Sequence, residues 1–288
     1  TSNNGVGMSE LWIIIILGLV QGASEFLPIS SSGHLVLFYN ILGVKENTML
    51  LSVVLHVATL VAVLLCYRKE LWVMLKHPFC KTNLKLVVAT IPTIILALAL
   101  NNLVEITFGN NFIIIGFLIT AILLLISQVI DNRNKKICSV YHDNINKNIV
   151  NGRDMTNLNV SYKQAILIGI AQGLAVFPGI SRSGSTIATS LILGVKKDDA
   201  ADFSFLLSIP VILGGLLKEI IECLGGNVVL NFQPFNIAVG CICAFLSGLF
   251  CIKLMLKMVK RQNLSWFSFY LVILSIVLVV NQYAHFLY

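Results

Sequence analysis

The sequence predicts an all-α polytopic membrane protein with six transmembrane helices and two re-entrant helical hairpins, arranged as an inverted-topology repeat. Three observations carry that expectation. Of the 288 residues, 57% are hydrophobic and 11% charged, and the mean hydropathy is +0.89; too little polar surface is present to cover a soluble domain of this size. Residues 15–45 laid on 166–196 at a constant offset of 151 agree at 14 of 31 positions without a gap, the signature of an internal duplication. The 20 Lys and Arg residues, assigned to sides under this topology, divide 17 to 2, with Arg182 left over in a polar tip.

The two halves are taken as residues 1–150 and 151–288. The residues before Met8 are set aside as a vector-derived or unstructured leader. The first unit, 10–43, has apolar arms too short to span a bilayer, of about 15 and 9 residues, on either side of Pro28, Ser30, Ser31, Ser32 and Gly33. It therefore reads as a re-entrant hairpin. Spans are expected at 50–67, 85–102 and 111–130. The polar, asparagine- and lysine-rich stretch Asp131 to Ser161 reads as a solvated loop. The second hairpin occupies 162–196, and spans follow at 203–221, 235–257 and 266–286. Three crossings separate the hairpins, an odd number, so they enter from opposite faces and bring their tips together near the midplane. Each entering arm carries a GxxxG pair, Gly18/Gly22 and Gly169/Gly173, which permits close helix contact.

The charge balance excludes other classes. The net charge of +7 lies in loops beside apolar spans, where membrane orientation explains it and nucleic-acid binding is not needed. The basic side is expected to be cytoplasmic, with both termini and the site opening on the outer face. Seven cysteines in no CxxC arrangement imply neither a disulfide framework nor a zinc site.

Where the two tips differ is where the chemistry lies. Glu25 stands opposite Val176, Ser31 opposite Arg182, and His34 opposite Ser185, so the repeat divides the acid, the histidine and the arginine between its halves. One composite site is expected, not two equivalent ones. Gln21 and Glu25 share a helix face at i, i+4, and a carboxylate at membrane depth calls for a cation, an arginine or a proton path. In the second tip Ser181, Arg182, Ser183 and Thr186 combine hydroxyls, a helix start and a planar guanidinium, the makings of an anion cradle, although some of these hydroxyls must serve as helix caps. Ser30 and Ser32 supply matching hydroxyls in the first tip. His34 is a candidate general acid or base, or a nucleophile in its own right. His56, inside an apolar run, reads first as a packed polar residue, the alternative being that it points into the same cavity. His77, His142 and His285 carry no signal.

The pattern Gln21-x-x-x-Glu25-Phe-Leu-Pro-Ile-Ser-Ser-Ser-Gly-His34, with Pro178-Gly-Ile-Ser-Arg-Ser-Gly-Ser-Thr186 in the second half, resembles the undecaprenyl-pyrophosphate phosphatases of the bacitracin-resistance type over nearly the whole chain. The family's first motif begins with Glu or Gln, and Gln21 here leaves Glu25 as its sole acid. The resemblance implies hydrolysis of a polyprenyl diphosphate to the monophosphate in a bacterial plasma membrane, with a divalent cation, Mg²⁺ or Ca²⁺, held by Glu25 and Gln21. On that reading the catalytic set is Glu25, Ser31, His34 and Arg182, and Ser30, Ser32, Ser181, Ser183 and Thr186 bind phosphate. Ser31 is the first choice of nucleophile with His34 as its base; attack by His34 itself stays open. The expected partners are the lipid substrate and membrane lipid, with a homodimer compatible with the sequence. The competing class is a secondary transporter or flippase of an anionic lipid, since inverted repeats with broken helices are also transporter architecture.

Overall fold

The computed structural model describes residues 10–44, 48–107, 110–141, 155–225, 232–261 and 264–284, and every regular element among them is helical. The first hairpin consists of α1 (Glu10–Phe26) and α2 (Ser31–Ile41). It is followed by α3 (Thr48–Cys66), α4 (Arg68–Lys76), α5 (Lys81–Ala99), α6 (Asn101–Ile106) and α7 (Asn110–Tyr141). A 3-10 turn at Met155–Asn157 leads into the second hairpin, α8 (Tyr162–Leu174) and α9 (Arg182–Ile192), and then into α10 (Lys197–Gly225), α11 (Pro234–Arg261) and α12 (Ser265–Ala284). Five of these helices are long and apolar enough to cross a membrane, and the pair α3–α4 makes a sixth if counted as one span. Large apolar side chains such as Leu98, Phe250 and Trp266 stand exposed on the outer faces, as lipid-facing helices require. The chain is a multi-pass, all-α membrane protein.

Two elements depart from expectation. The span expected at 50–67 does not simply stop: beyond Tyr67 the chain bends by 74° and continues as α4. The run Arg68-Lys69-Glu70 is too charged to extend an apolar helix through lipid, so the chain turns there and leaves Trp72 and Leu75 exposed beside Lys69 and Lys76. The stretch Asp131 to Ser161 is not loop throughout. Helix α7 runs on to Tyr141, and residues 155–160 fold back on the start of α5, where Met155, Leu158 and Val160 are buried. The backbone N–H of Leu158 donates to Thr82 Oγ1 at 3.0 Å, and Lys85 Nζ donates to the Leu158 carbonyl at 2.7 Å. Three apolar side chains in six residues suffice to dock the segment. Residues 142–154, and the leader before Met8, lie outside the described residues.

The two hairpins start from opposite ends of the bundle. Glu10, at the start of α1, accepts hydrogen bonds from Gln233 N and Asn236 Nδ2 at the start of α11, at 2.8 and 2.9 Å. The segment leading into α8 is bound to Lys85 near the start of α5. Helix α5 ends beside Asn101, which Lys218 reaches from the far end of α10, the same end from which α11 departs. The start of α5 and the start of α11 therefore mark opposite ends, and each hairpin begins beside one of them.

Packing is exchanged between the halves: α1 lies along α11 and α8 along α5. Lipid is as apolar as leucine, so such contacts rest on close fit and not on the hydrophobic effect. The glycine pairs provide it. A Cβ placed on Gly18 would fall on the Gly240 carbonyl, and one on Gly169 would fall on the Ala89 carbonyl. No larger residue permits backbone contact at either crossing.

Candidate active site

Each tip forms because its arm cannot continue. After α1, the Leu27-Pro28 step disfavours helix at Leu27, and Ser30 restarts the chain as the N-cap of α2, its hydroxyl accepting from Gly33 N at 3.3 Å. In the second half Ser181 does the same for α9, accepting from Gly184 N at 3.0 Å. The tips are held against each other and against α7. Ser183 Oγ donates to the Leu27 carbonyl at 3.1 Å, and Ser181 N donates to Thr120 Oγ1 at 2.9 Å. A Cβ on Gly116 would collide with Gly179, and one on Gly33 with the ring of Phe117. One helix thus supports both tips.

At the meeting point is a buried carboxylate. Glu25 is 6% exposed, and its Oε1 accepts from Arg182 Nη2 of the opposite half. Its Oε2 accepts from Ser31 Oγ at 2.6 Å and from Gln21 Nε2 at 3.1 Å. His56 Nε2 of α3 lies 3.6 Å from the same oxygen. The other ring nitrogen, Nδ1, is 2.7 Å from the Ser52 carbonyl, which can only accept, so Nδ1 carries a proton. An isolated charge at this depth is untenable; the arginine and three polar partners make it sustainable. Four of the sequence-predicted residues, Gln21, Glu25, Ser31 and Arg182, are thereby brought together.

His34 is placed differently from the expected Ser31–His34 pair. It is buried, 4% exposed, with Nδ1 2.8 Å from the Ser30 carbonyl and Nε2 2.7 Å from the Tyr270 hydroxyl of α12. The Ser31 hydroxyl is turned to Glu25, whose charged oxygen is a stronger acceptor than a neutral imidazole. Four of the expected phosphate ligands also have structural tasks. Ser30 and Ser181 are caps, and Thr186 Oγ1 lies 2.5 Å from Ser204 Oγ of α10, fully buried. Ser183 ties the tips together, and Ser32 Oγ lies 3.3 Å from Ser30 Oγ. The donors best placed for an anion are the Arg182 guanidinium, with its fork of five N–H groups, the Ser31 and Ser32 hydroxyls, and the first-turn N–H groups of α2 and α9.

Metal binding is tested by the donor set. Among the described residues no three His, Cys, Asp or Glu side chains cluster as a cage. However, Gln21 Oε1 is buried beside Glu25 with no hydrogen-bond partner among the described residues. A lone carboxylate and an orphaned amide oxygen suit Mg²⁺, which takes one or two protein ligands and completes its shell with water and phosphate oxygens. The residues present fit such an ion.

His56 and Tyr270 are the site residues that sequence reasoning underweighted. For His56 a signal existed: an ionisable side chain in an apolar span, spaced i, i+4 from Ser52. Tyr270 had none, being one of several aromatics on an apolar helix.

The chain matches the family described as bacitracin resistance protein BacA over residues 14–277. It is 38% identical over 274 residues to an undecaprenyl-diphosphatase of Carboxydothermus hydrogenoformans, covering 94% of this chain and 97% of that protein. A protein of the same description from Christiangramia forsetii is 36% identical over 288 residues, covering 96% and 99%. Undecaprenyl-diphosphatase 4 of Bacillus thuringiensis is 34% identical over 272 residues, covering 94% and 96%.

Proposed function

Because the chain belongs to the bacitracin resistance protein BacA family, we propose that it is an integral membrane phosphatase that hydrolyses undecaprenyl diphosphate to the monophosphate and inorganic phosphate. Its product is the lipid carrier of cell-wall synthesis, and removal of the diphosphate form confers bacitracin resistance. The observation that carries this reading is the convergence of Ser31 and Arg182, from opposite halves, on the buried Glu25.

The chemistry follows from the placement. Phosphoryl transfer needs an aligned nucleophile and positive charge on the equatorial oxygens, with little other help. Ser31 Oγ attacks the terminal phosphorus, its proton passing towards Glu25, which already accepts it. The bond from that phosphorus to the bridging oxygen breaks, and the polyprenyl monophosphate departs with the electron pair. The Arg182 fork and the first-turn N–H groups of α2 and α9 stabilise the spreading charge. His34, one turn along α2 from Ser31, takes the proton of the water that attacks the phosphoserine; the P–O bond to Ser31 breaks, and the departing seryl oxygen recovers its proton from Glu25. Glu25 and Gln21 would hold a divalent cation, which would neutralise diphosphate charge that the apolar surroundings oppose. The apolar helix faces accommodate the prenyl chain.

The segregation of basic residues supports an orientation with that side cytoplasmic and the tips opening to the outer face of the bacterial plasma membrane. The test uses detergent-purified protein, where no compartments exist and transport produces no signal. Release of inorganic phosphate from undecaprenyl diphosphate with Mg²⁺ or Ca²⁺ present is expected. A well-folded wild-type protein inactive on several prenyl diphosphates would sink the hydrolase reading in favour of a transporter.

A further inference from the structure

His34 is one residue of the site whose two ring nitrogens are assigned unlike roles by their partners. Nδ1 lies 2.8 Å from the Ser30 carbonyl. A carbonyl has no proton to give, so Nδ1 carries one and donates it. In the neutral ring Nε2 then holds the lone pair, and the Tyr270 hydroxyl, 2.7 Å away, is its donor. The ring is confined as well: its plane lies within 16° of that of Tyr270, with centroids 5.7 Å apart, and Phe117 packs on it at 5.2 Å.

The backbone is distorted to reach this arrangement. Ser30 is the one non-glycine residue with positive φ among the described residues, at φ 72° and ψ 105°. Its repeat counterpart Ser181 caps the equivalent helix with φ −78° and ψ 119°. Both serines cap their helices, so capping does not require the left-handed conformation. The tips differ at Pro28/Gly179 and Ser31/Arg182, and also four places on, where His34 stands in one half and Ser185 in the other; the carbonyl of Ser30 meets the His34 ring. Strain of this kind persists only where the surroundings enforce it and collects at functional sites.

We propose that Tyr270 is a positioning residue that, with the Ser30 carbonyl, fixes His34 in the Nδ1–H tautomer with its lone pair on Nε2. A basic nitrogen is thereby held ready one helical turn from Ser31. Tyr270 is 42% exposed, so its hydroxyl can release Nε2 without unpacking the core when water and phosphate occupy the site. The inference rests on the catalytic reading of His34 given above, and its test separates the two.

The experiment compares wild type, Tyr270→Phe, His34→Gln and the double variant in detergent. It combines steady-state phosphate release with ¹⁵N spectra of ¹⁵N-histidine-labelled protein, in which His34→Gln assigns the His34 signals. Phenylalanine keeps the ring packing and removes the hydroxyl alone. Tyr270→Phe is expected to lower kcat about tenfold with KM within about twofold, and to move the His34 Nε2 signal as that nitrogen loses its donor while Nδ1 stays protonated against the Ser30 carbonyl, a pattern that loss of packing alone does not produce. The double variant should be no slower than His34→Gln, because Tyr270 acts through His34. Wild-type kcat with an unchanged His34 Nε2 signal in Tyr270→Phe, or losses that multiply in the double variant, would overturn the proposal. Full turnover by His34→Gln would instead remove the catalytic role of His34, and the role of Tyr270 with it.

Discussion

Ser31 and Arg182 occupy the same position in the two repeats, the first residue of the helix that follows each tip, and they bind opposite oxygens of one carboxylate, that of Glu25. A duplication that began with equivalent residues at these positions now presents a hydroxyl from one side and a guanidinium from the other. The distance between the Ser31 hydroxyl and the Arg182 guanidinium is therefore set by the packing of two hairpins on α7, not by any local stretch of chain.

Replacing Arg182 by lysine should show that geometry matters beyond charge. Lysine keeps a cation but loses the planar fork that meets two phosphate oxygens together. We expect phosphate release to fall by at least about a hundredfold, the scale of losing a transition-state donor, while thermal melting changes little. Near-normal turnover would argue that Arg182 serves only as a counter-charge to Glu25.

Ser31→Ala tests covalent catalysis. Wild-type protein quenched during turnover with substrate labelled in its terminal phosphate should retain label on the polypeptide, and Ser31→Ala should retain none. Label that persists in Ser31→Ala but disappears in His34→Gln would transfer the nucleophile role to the histidine.

For His56 the prediction separates alanine from glutamine. The ring lies 3.6 Å from Glu25 Oε2, beyond a hydrogen bond, and that oxygen keeps Ser31 and Gln21 as its donors, so the ring acts on the carboxylate through its polarity or its packing. His56→Ala should lower kcat about tenfold, whereas His56→Gln, which keeps a polar group beside the carboxylate, should recover most of the activity. Equal losses in both variants would mean that the aromatic ring packs and does nothing electrostatic.

Gln21→Glu should tighten the dependence on divalent cation. A second carboxylate beside Glu25 repels it in the absence of metal and replaces a neutral amide ligand with a charged one in its presence. The variant should melt at a lower temperature than wild type in chelator and gain more stability on adding Mg²⁺, by linkage. A cation response identical to wild type would remove position 21 from the metal site.

The crossings of the two arms can be tested by size. Gly18→Val and Gly169→Val place side-chain atoms on a facing carbonyl, and overpacking of this kind costs about 1–3 kcal/mol or more; both should lose the monodisperse elution of the folded protein. Gly214→Ala, at a helical position where a Cβ meets nothing within 4 Å, should be tolerated. Tolerance of valine at Gly18 would contradict the observed fit of α1 against α11.

The residues of the chain, read alone, determined the class, the number of long apolar segments, the repeat, and the identity of the acid, hydroxyl, amide and arginine that meet at the site. They could do so because lipid imposes a one-dimensional rule on length and hydropathy, and because a duplication exposes its own exceptions, Glu25, Ser31, His34 and Arg182, against a matching background. What only the tertiary structure decided was direction: that Ser31 turns to Glu25 and His34 to Tyr270, that His56 joins the carboxylate, and that Thr186 faces Ser204. Those choices depend on helices far apart in sequence, α3, α10 and α12, arriving beside the tips. The extension of α7 to Tyr141 and the docking of residues 155–160 on α5 escaped the same way, since a polar composition describes what a segment tolerates and not which buried surface it finds to cover.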